Sequence, residues 1–402
     1  MSSQLAPENV VGRDRLIAQI WRLLNRYSVV FTAERRIGKT TVMKKMQAEA
    51  PDGIIVRYLD LEKIDSPQRF VEILLGQVRE LLTKTNRAMG GFKSLMEAVG
   101  GTEIGGVVKI PQYNKDRWQP ALEKALACVC ENHPESTLLF LLDEMPYMLQ
   151  KIVVREKGED SSENAALAIL DSLRAMRSEH DNLRMVYTGS IGLHHVIDSL
   201  RGNEYASQPT NEMETVEIGP LAHADALDLA RGLLDEEKVE CSSVEDVAAE
   251  LVTLTDRVPF YIERVVMRLA FAASPVTPKS VQQQVLLHLT DDNDFWEMEH
   301  FRTRVPIYYP GNVNTGDRNT LSKAAVVTSM LDVLATCEMA QSIDQVCAAI
   351  KASVPVEDRD LVIELLRNLS QDHYLICDDQ KRYSFRFPLI KKWWVLARGL
   401  SS

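Results

Sequence analysis

Apolar residues follow two rhythms through the first half of this 402-residue chain. Short, nearly continuous apolar runs occur at Val29-Val30-Phe31-Thr32, Ile54 to Leu61, Leu138 to Leu142 and Met185-Val186-Tyr187-Thr188. They read as strands, and the wholly apolar one as a strand buried on both faces. Between them lie amphipathic stretches at helical spacing. Thr40 to Ala50 is stopped by Pro51-Asp52-Gly53, and Pro67 to Thr83 carries Val71, Leu74, Leu75, Val78 and Leu82. Alternating strands and helices predict an α/β domain over residues 1–205, a parallel sheet with helices on both faces. The rhythm lapses at about 86–115, where Gly90-Gly91, Gly100-Gly101 and Gly105-Gly106 predict a hairpin or a flexible insertion.

Residues 206–290 carry helical patterning, with a first helix from Ala224 to Leu234 after Pro220-Leu221. A connector at 291–318 is aromatic and bracketed by Asp291-Asp292-Asn293-Asp294 and Tyr309-Pro310-Gly311-Asn312, which suggests a hinge region. Residues 319–402 read helix, helix, helix, hairpin, helix. Ser342 to Ser353 and Asp358 to Asp372 are the middle helices. Tyr374-Leu375-Ile376-Cys377 faces Arg382 to Phe387 across Asp378-Asp379-Gln380-Lys381. A helix-turn-helix with a hairpin wing is the economical reading, and another small α+β module fits the same pattern.

Composition narrows the classes. Hydrophobic residues at 45% and charged residues at 26% are ordinary for a soluble globular chain and exclude a largely disordered or collagenous one. The net charge of −11 excludes an overall basic nucleic-acid coat and leaves room for a local basic face. No apolar run is long enough to span a membrane, and the opening residues resemble no signal peptide, so a cytoplasmic location is expected. Cys128, Cys130, Cys241, Cys337, Cys347 and Cys377 are spaced like neither a zinc site nor a disulfide framework, and read as reduced thiols.

The chemistry concentrates at Ala33-Glu34-Arg35-Arg36-Ile37-Gly38-Lys39-Thr40, followed by Thr41, between a strand and a helix. Gly38 lets the backbone approach a phosphate, and successive N–H groups at a helix start face an anion. Lys39 is placed to reach β- and γ-phosphates, and the Thr40 hydroxyl to join a Mg²⁺ shell. The Leu138–Leu142 run then delivers Asp143 and Glu144 at its carboxyl end. Asp143 is expected to hold Mg²⁺ through water, and Glu144 to polarise an attacking water. Either Thr188 or Ser190, at a third strand end, senses the γ-phosphate, or the segment is a plain turn in which Gly189 supplies positive φ. His194-His195 point different ways on a helix and make a poor metal pair.

At this point the chain resembles the AAA+/STAND class of P-loop ATPases, in the archaeal-ATPase-like branch related to origin-recognition-type initiators. Val10-Val11-Gly12-Arg13-Asp14 resembles the family's box ahead of the phosphate loop, which implies that Val11, Gly12 and Arg13 lie by the adenine. Glu34 to Thr40, Asp143-Glu144 and Thr188-Gly189-Ser190-Ile191-Gly192 resemble its phosphate loop and its second and third strand ends. Pro259-Phe260-Tyr261 resembles the box of its helical lid, whose proline packs on the base, and Phe385 to Leu389 with Trp393-Trp394 resembles the close of its winged-helix domain. The resemblance implies a P-loop core, a helical lid and a C-terminal winged helix, with ATP and Mg²⁺ as cofactors. Two departures stand out. Arg257 occupies a usual glycine position and is either a phosphate-sensing arginine or a solvent-facing one. Residues 207–219 hold no arginine that would serve as a charge donor, and Arg201 is a distant substitute, so hydrolysis is expected to be slow or to need a second subunit.

Two functions follow. One is an ATP-binding molecular switch controlling oligomerisation or a protein partner, as in signalling or prokaryotic antiviral defence. The other is a DNA-binding ATPase of initiator or transposition-regulator type. Residues 319–402 hold equal numbers of basic and acidic side chains, and Lys381, Arg382, Arg386, Lys391 and Lys392 cluster as candidates for duplex DNA. Glu357, Asp358, Asp360, Glu364 and Asp372 on the middle helices would repel a phosphate backbone. Trp393-Trp394 pack in the core of a terminal helix, stack on a nucleic-acid base or anchor a partner, and core packing is the expected role.

Overall fold

The computed structural model describes residues 10–82, 97, 102–104, 107–109, 118–156, 165–189, 192–200, 208–272, 275–291, 293–314, 320–351, 354 and 358–401. Two compact units make up the chain. The first is Met1–Thr32 with Lys39–Ile218, and the second is Ala33–Gly38 with Gly219–Ser402.

The first unit contains strands β1 (Ser28–Thr32), β2 (Ile54–Asp60), β3 (Thr102–Ile104), β4 (Val107–Lys109), β5 (Thr137–Asp143), β6 (Leu183–Tyr187) and β7 (Met213–Glu217). Five of them form one sheet in the order β2-β5-β6-β1-β7, parallel at each pairing. Leu138 to Leu142 are almost fully buried, as a strand covered on both faces must be. Helices Pro67–Leu82, Trp118–Asn132 and Ala165–Glu179 pack against one another and share a core with β5, through Leu74, Leu122, Leu170 and Phe140. Helix Asp14–Leu24 packs by β1, burying Ile17, Ile20 and Leu24, and helix Lys39–Ala48 packs by β2. Fully burying each such aliphatic side chain contributes about 1.5–3 kcal/mol.

β7 was not anticipated by the apolar pattern. Met213-Glu214-Thr215-Val216-Glu217 pairs with β1 from Ser28↔Met213 to Thr32↔Glu217. As an edge strand it buries no residue fully, and only Met213 and Val216 are apolar, so no continuous apolar run marks it. The sheet therefore extends beyond residue 205, where the sequence pattern ended the domain. Gly105-Gly106 falls between the antiparallel partners β3 and β4, as a glycine-punctuated hairpin would have it. The rest of the expected insertion lies outside the described residues.

In the second unit, helices His223–Glu236, Val244–Leu254, Pro259–Leu269 and Pro278–Leu289 pack together. Thr277 caps the last of these in a reciprocal box with Ser280. The connector that reads as a hinge is instead packed. It forms helices Glu299–Thr303 and Val305–Tyr308, with Trp296, Phe301 and Tyr309 buried. The chain continues through β8 (Asn312–Asn314) and β9 (Thr320–Ser322), helix Lys323–Thr336, β10 (Gln341–Ser342), helices Ile343–Ile350 and Arg359–Gln371, β11 (Leu375–Cys377), β12 (Arg382–Phe385) and helix Pro388–Arg398. β10, β12 and β11 form a three-stranded antiparallel sheet. Trp393 and Trp394 are core residues, and the Trp394 Nε1–H donates to Asp332 Oδ1 at 2.8 Å. No helix among the described residues is long and apolar enough to cross a membrane.

Candidate functional site

β1 ends at Thr32, and the chain runs through Ala33–Gly38 into helix Lys39–Ala48. The left-handed backbone of this loop falls at Arg36 (φ 70°) and Gly38 (φ 103°). Ala33 needs no glycine conformation, which is why alanine is tolerated where the phosphate-loop pattern starts with glycine. The first N–H groups of the following helix lack intrahelical partners and carry the positive end of its dipole. Lys39 sits at that end and is 8% exposed, while Thr40 and Thr41 are half-buried. Ile37 is buried. Ahead of β1, Val11 is exposed, Gly12 is left-handed at φ 72°, and Arg13 is buried at the start of helix Asp14–Leu24. Asp14 holds the buried Lys45 ammonium at 3.0 Å, tying that helix to Lys39–Ala48.

The first unit brings two of the candidates, Thr40 and Glu144, together with Tyr58 around the carboxylate of a third, Asp143. The Thr40 hydroxyl donates to Asp143 Oδ2 at 2.7 Å, the Tyr58 hydroxyl donates to the same oxygen at 2.9 Å, and the Glu144 N–H donates to Oδ1 at 3.1 Å. Burial pushes the Asp143 pKa up, against the two hydroxyl hydrogen bonds and the charge of Lys39. A buried carboxylate and a hydroxyl are hard oxygen donors, and they suit Mg²⁺. Tyr58 escapes motif reasoning because it stands mid-strand on β2. It reaches Asp143 because the register sets Tyr58 opposite Leu141 and Asp60 opposite Asp143.

Glu144 lies just past β5 with φ 57°. The strand end is stitched to its neighbour, with Thr188 N–H donating to Leu142 O at 3.1 Å and Met145 N–H to Thr188 O at 3.0 Å. The Thr188 hydroxyl is buried with no hydrogen-bond partner among the described residues. A buried unsatisfied hydroxyl is costly, and a ligand oxygen would relieve that cost. Gly189 is required for space rather than for positive φ. A Cβ there would meet Pro146 Cδ at 2.6 Å and Glu144 Oε2 at 3.4 Å. Ser190, Ile191 and Arg201 lie outside the described residues.

In the second unit, the loop side chains Glu34, Arg35 and Arg36 are engaged by residues 297–304. Arg304 Nη1 and Nη2 donate to Glu34 Oε1 and Oε2 at 2.9 and 3.0 Å, both side chains being buried. Arg35 N–H donates to the same carboxylate at 2.7 Å, and His300 Nε2 lies 3.6 Å away. Burial opposes the ionisation of Glu34, but Arg304 and His300 outweigh it and hold the carboxyl well below the usual range. Arg36 pairs with Glu297 and stacks over Phe260 at 4.6 Å, and Arg35 lies 3.3 Å from Glu297. The links of Glu297 and Arg304 to the loop join residues more than 250 positions apart, and nothing local in the sequence signals them.

Arg257 is exposed with φ 61°, and Pro259 opens helix Pro259–Leu269. The left-handed angle explains why glycine would be usual at position 257. Among the five basic candidates, three are drawn into internal contacts. Arg382 Nε donates to Asp378 Oδ2 at 2.8 Å, Arg386 lies half-buried with Nη1 3.2 Å from His373 Nδ1, and Lys391 Nζ donates to Cys337 O at 2.6 Å. Lys381 and Lys392 are exposed.

No protein-family model matches the chain, and no curated protein matches its sequence. Among solved structures, a Walker-type ATPase of Pyrococcus abyssi superposes over 96% of both chains with a TM-score of 0.59 and 14% identity. A mutant of Thermotoga maritima RuvB superposes over 94% of both chains with a TM-score of 0.39 and 11% identity, below the level of a shared fold. The parallel five-stranded sheet with flanking helices is an α/β fold that the chain shares with this Walker-type ATPase.

Proposed function

We propose that the chain binds ATP with Mg²⁺ at the segment Ala33–Thr41 and hydrolyses it slowly, using nucleotide state as a molecular switch. The observation that carries this reading is the Thr40 hydroxyl donating to Asp143 at the end of β5, directly after Gly38 and Lys39 at a helix N-terminus. Main-chain N–H groups and Lys39 supply positive potential for a polyphosphate. Thr40 and Asp143 would hold Mg²⁺, which neutralises phosphate charge when bound. Glu144 would orient and polarise a water, and the unsatisfied Thr188 hydroxyl would meet a phosphate or water oxygen. Burial pushes the Asp143 pKa up, and the hydrogen bonds from Thr40 and Tyr58 oppose that shift.

The switch role rests on the neutral C-terminal module, which suits a protein partner or a second copy better than a phosphate backbone. The helices of residues 206–290 are proposed as a lid and residues 319–402 as a winged helix. Only the exposed Lys381 and Lys392 favour duplex DNA as the alternative. Phosphate release from ATP at low salt, with and without duplex DNA and with Glu144→Gln as the blank, tests the proposal. Slow turnover indifferent to DNA supports the switch. Turnover raised severalfold by DNA moves the function to a DNA-dependent ATPase, and no turnover above the blank removes hydrolysis.

A further inference from the structure

The buried pair Glu34–Arg304 places a carboxylate inside the segment that would receive a polyphosphate. Alone, that buried charge opposes an anionic ligand held by the same loop, in surroundings where screening is weak. Bound bidentately by a guanidinium, it presents no net charge. Arg304 does more than neutralise. Its Nε donates to the Tyr374 hydroxyl at 2.8 Å, its Nη2 donates to Asp372 O at 3.1 Å, and it stacks over Tyr374 at 4.2 Å and Phe301 at 4.7 Å. The Tyr309 hydroxyl donates to Asp372 Oδ2 at 2.6 Å, and Tyr374 donates to Phe301 O. One buried guanidinium is therefore shared between the loop and the turn after helix Arg359–Gln371.

We infer that Arg304 is a positioning residue for the phosphate loop. It cancels the charge of Glu34, and through Tyr374 and Asp372 it makes the loop's affinity for nucleotide depend on the packing of the C-terminal module. This rests on the nucleotide-binding reading above. The sign is fixed by the charges. With Arg304 in place the loop accepts a polyphosphate, and when Arg304 leaves, Glu34 repels it. By linkage, bound nucleotide favours the packed arrangement of residues 297–308 and 372–374 by the same factor. The alternative is that the pair merely supports the fold, as buried ion pairs often do.

The test compares Mg·ATP affinity, by titration calorimetry, in the wild type, Arg304→Met, and the double variant Glu34→Gln/Arg304→Met. Arg304→Met should weaken binding by about tenfold or more. The double variant, with no carboxylate left to repel, should return to within about threefold of wild type. Removing both partners also relieves a purely structural pair, so Glu34→Gln alone decides: it should bind Mg·ATP at least as well as wild type, and if it or the double variant folds but binds as weakly as Arg304→Met the inference is overturned. Should Arg304→Met fail to fold, hydrogen exchange on the wild type decides. Mg·ATP is expected to slow exchange at residues 297–308 and 372–374, and unchanged exchange with ATP bound overturns the inference. A wild type that binds no ATP sinks the nucleotide-binding reading as well, which separates the two failures.

Discussion

Asp256 accepts the Leu389 N–H at 2.8 Å from a left-handed backbone position, φ 51°. Burial pushes its pKa up to about 6, against that hydrogen bond and the charge of Arg257. The folded value lies above the ordinary carboxylate range, so protonation favours the fold. The stabilising contribution is complete below about pH 4 and is lost as pH rises through about 6. Asparagine stays neutral, accepts the same N–H and tolerates the same φ. Asp256→Asn should therefore raise stability to urea by about 1–2 kcal/mol at pH 7, the shift being discounted for partial solvent access. The gain should vanish near pH 4, and an equal effect at both pH values would contradict the assignment. At this scale the sequence was uneven as a guide. Lys39, Thr40, Asp143 and Glu144 stand out because the phosphate and Mg²⁺ chemistry proposed for them constrains residue type and spacing locally. Tyr58 and Arg304 do not, because each reaches its partner through tertiary structure, 85 and 270 residues away.

The elements that position the site were legible wherever burial imposed a rhythm. β1, β5 and β6 fall on the apolar runs, because a central parallel strand has both faces covered, and β2, at one edge of the sheet, still buries Val56 and Leu59. β7, at the other edge, buries no residue, and three of its five side chains are polar, so its pattern is lost in the surrounding chain. The aromatic connector has turn residues at each end, yet its Trp296, Phe301 and Tyr309 are core. Turn-forming residues fix where the chain bends and say nothing of what packs between the bends. Gly189 gives an element-scale prediction. It lets the end of β6 pass the start of helix Met145–Glu156, where the Pro146 ring cannot swing aside. Gly189→Ala should destabilise the first unit by about 1–3 kcal/mol and displace Glu144, lowering turnover more than ATP affinity. Unchanged stability and turnover would show that the β6 end has room to spare.

Across the whole molecule, a chain of net charge −11 combines a parallel α/β sheet unit with a second unit that is helical and then mixed. The loop Ala33–Gly38 belongs by its contacts to that second unit, while Lys39 and Thr40 belong to the first. The division falls inside the proposed phosphate-binding segment. All of this depends on whether ATP binds through Lys39. Calorimetric titration of Mg·ATP into the wild type and Lys39→Ala tests it most directly. Saturable one-site binding by the wild type, weakened at least about a hundredfold in the variant, is the predicted result. Equal binding by both proteins, or none by the wild type, would contradict it.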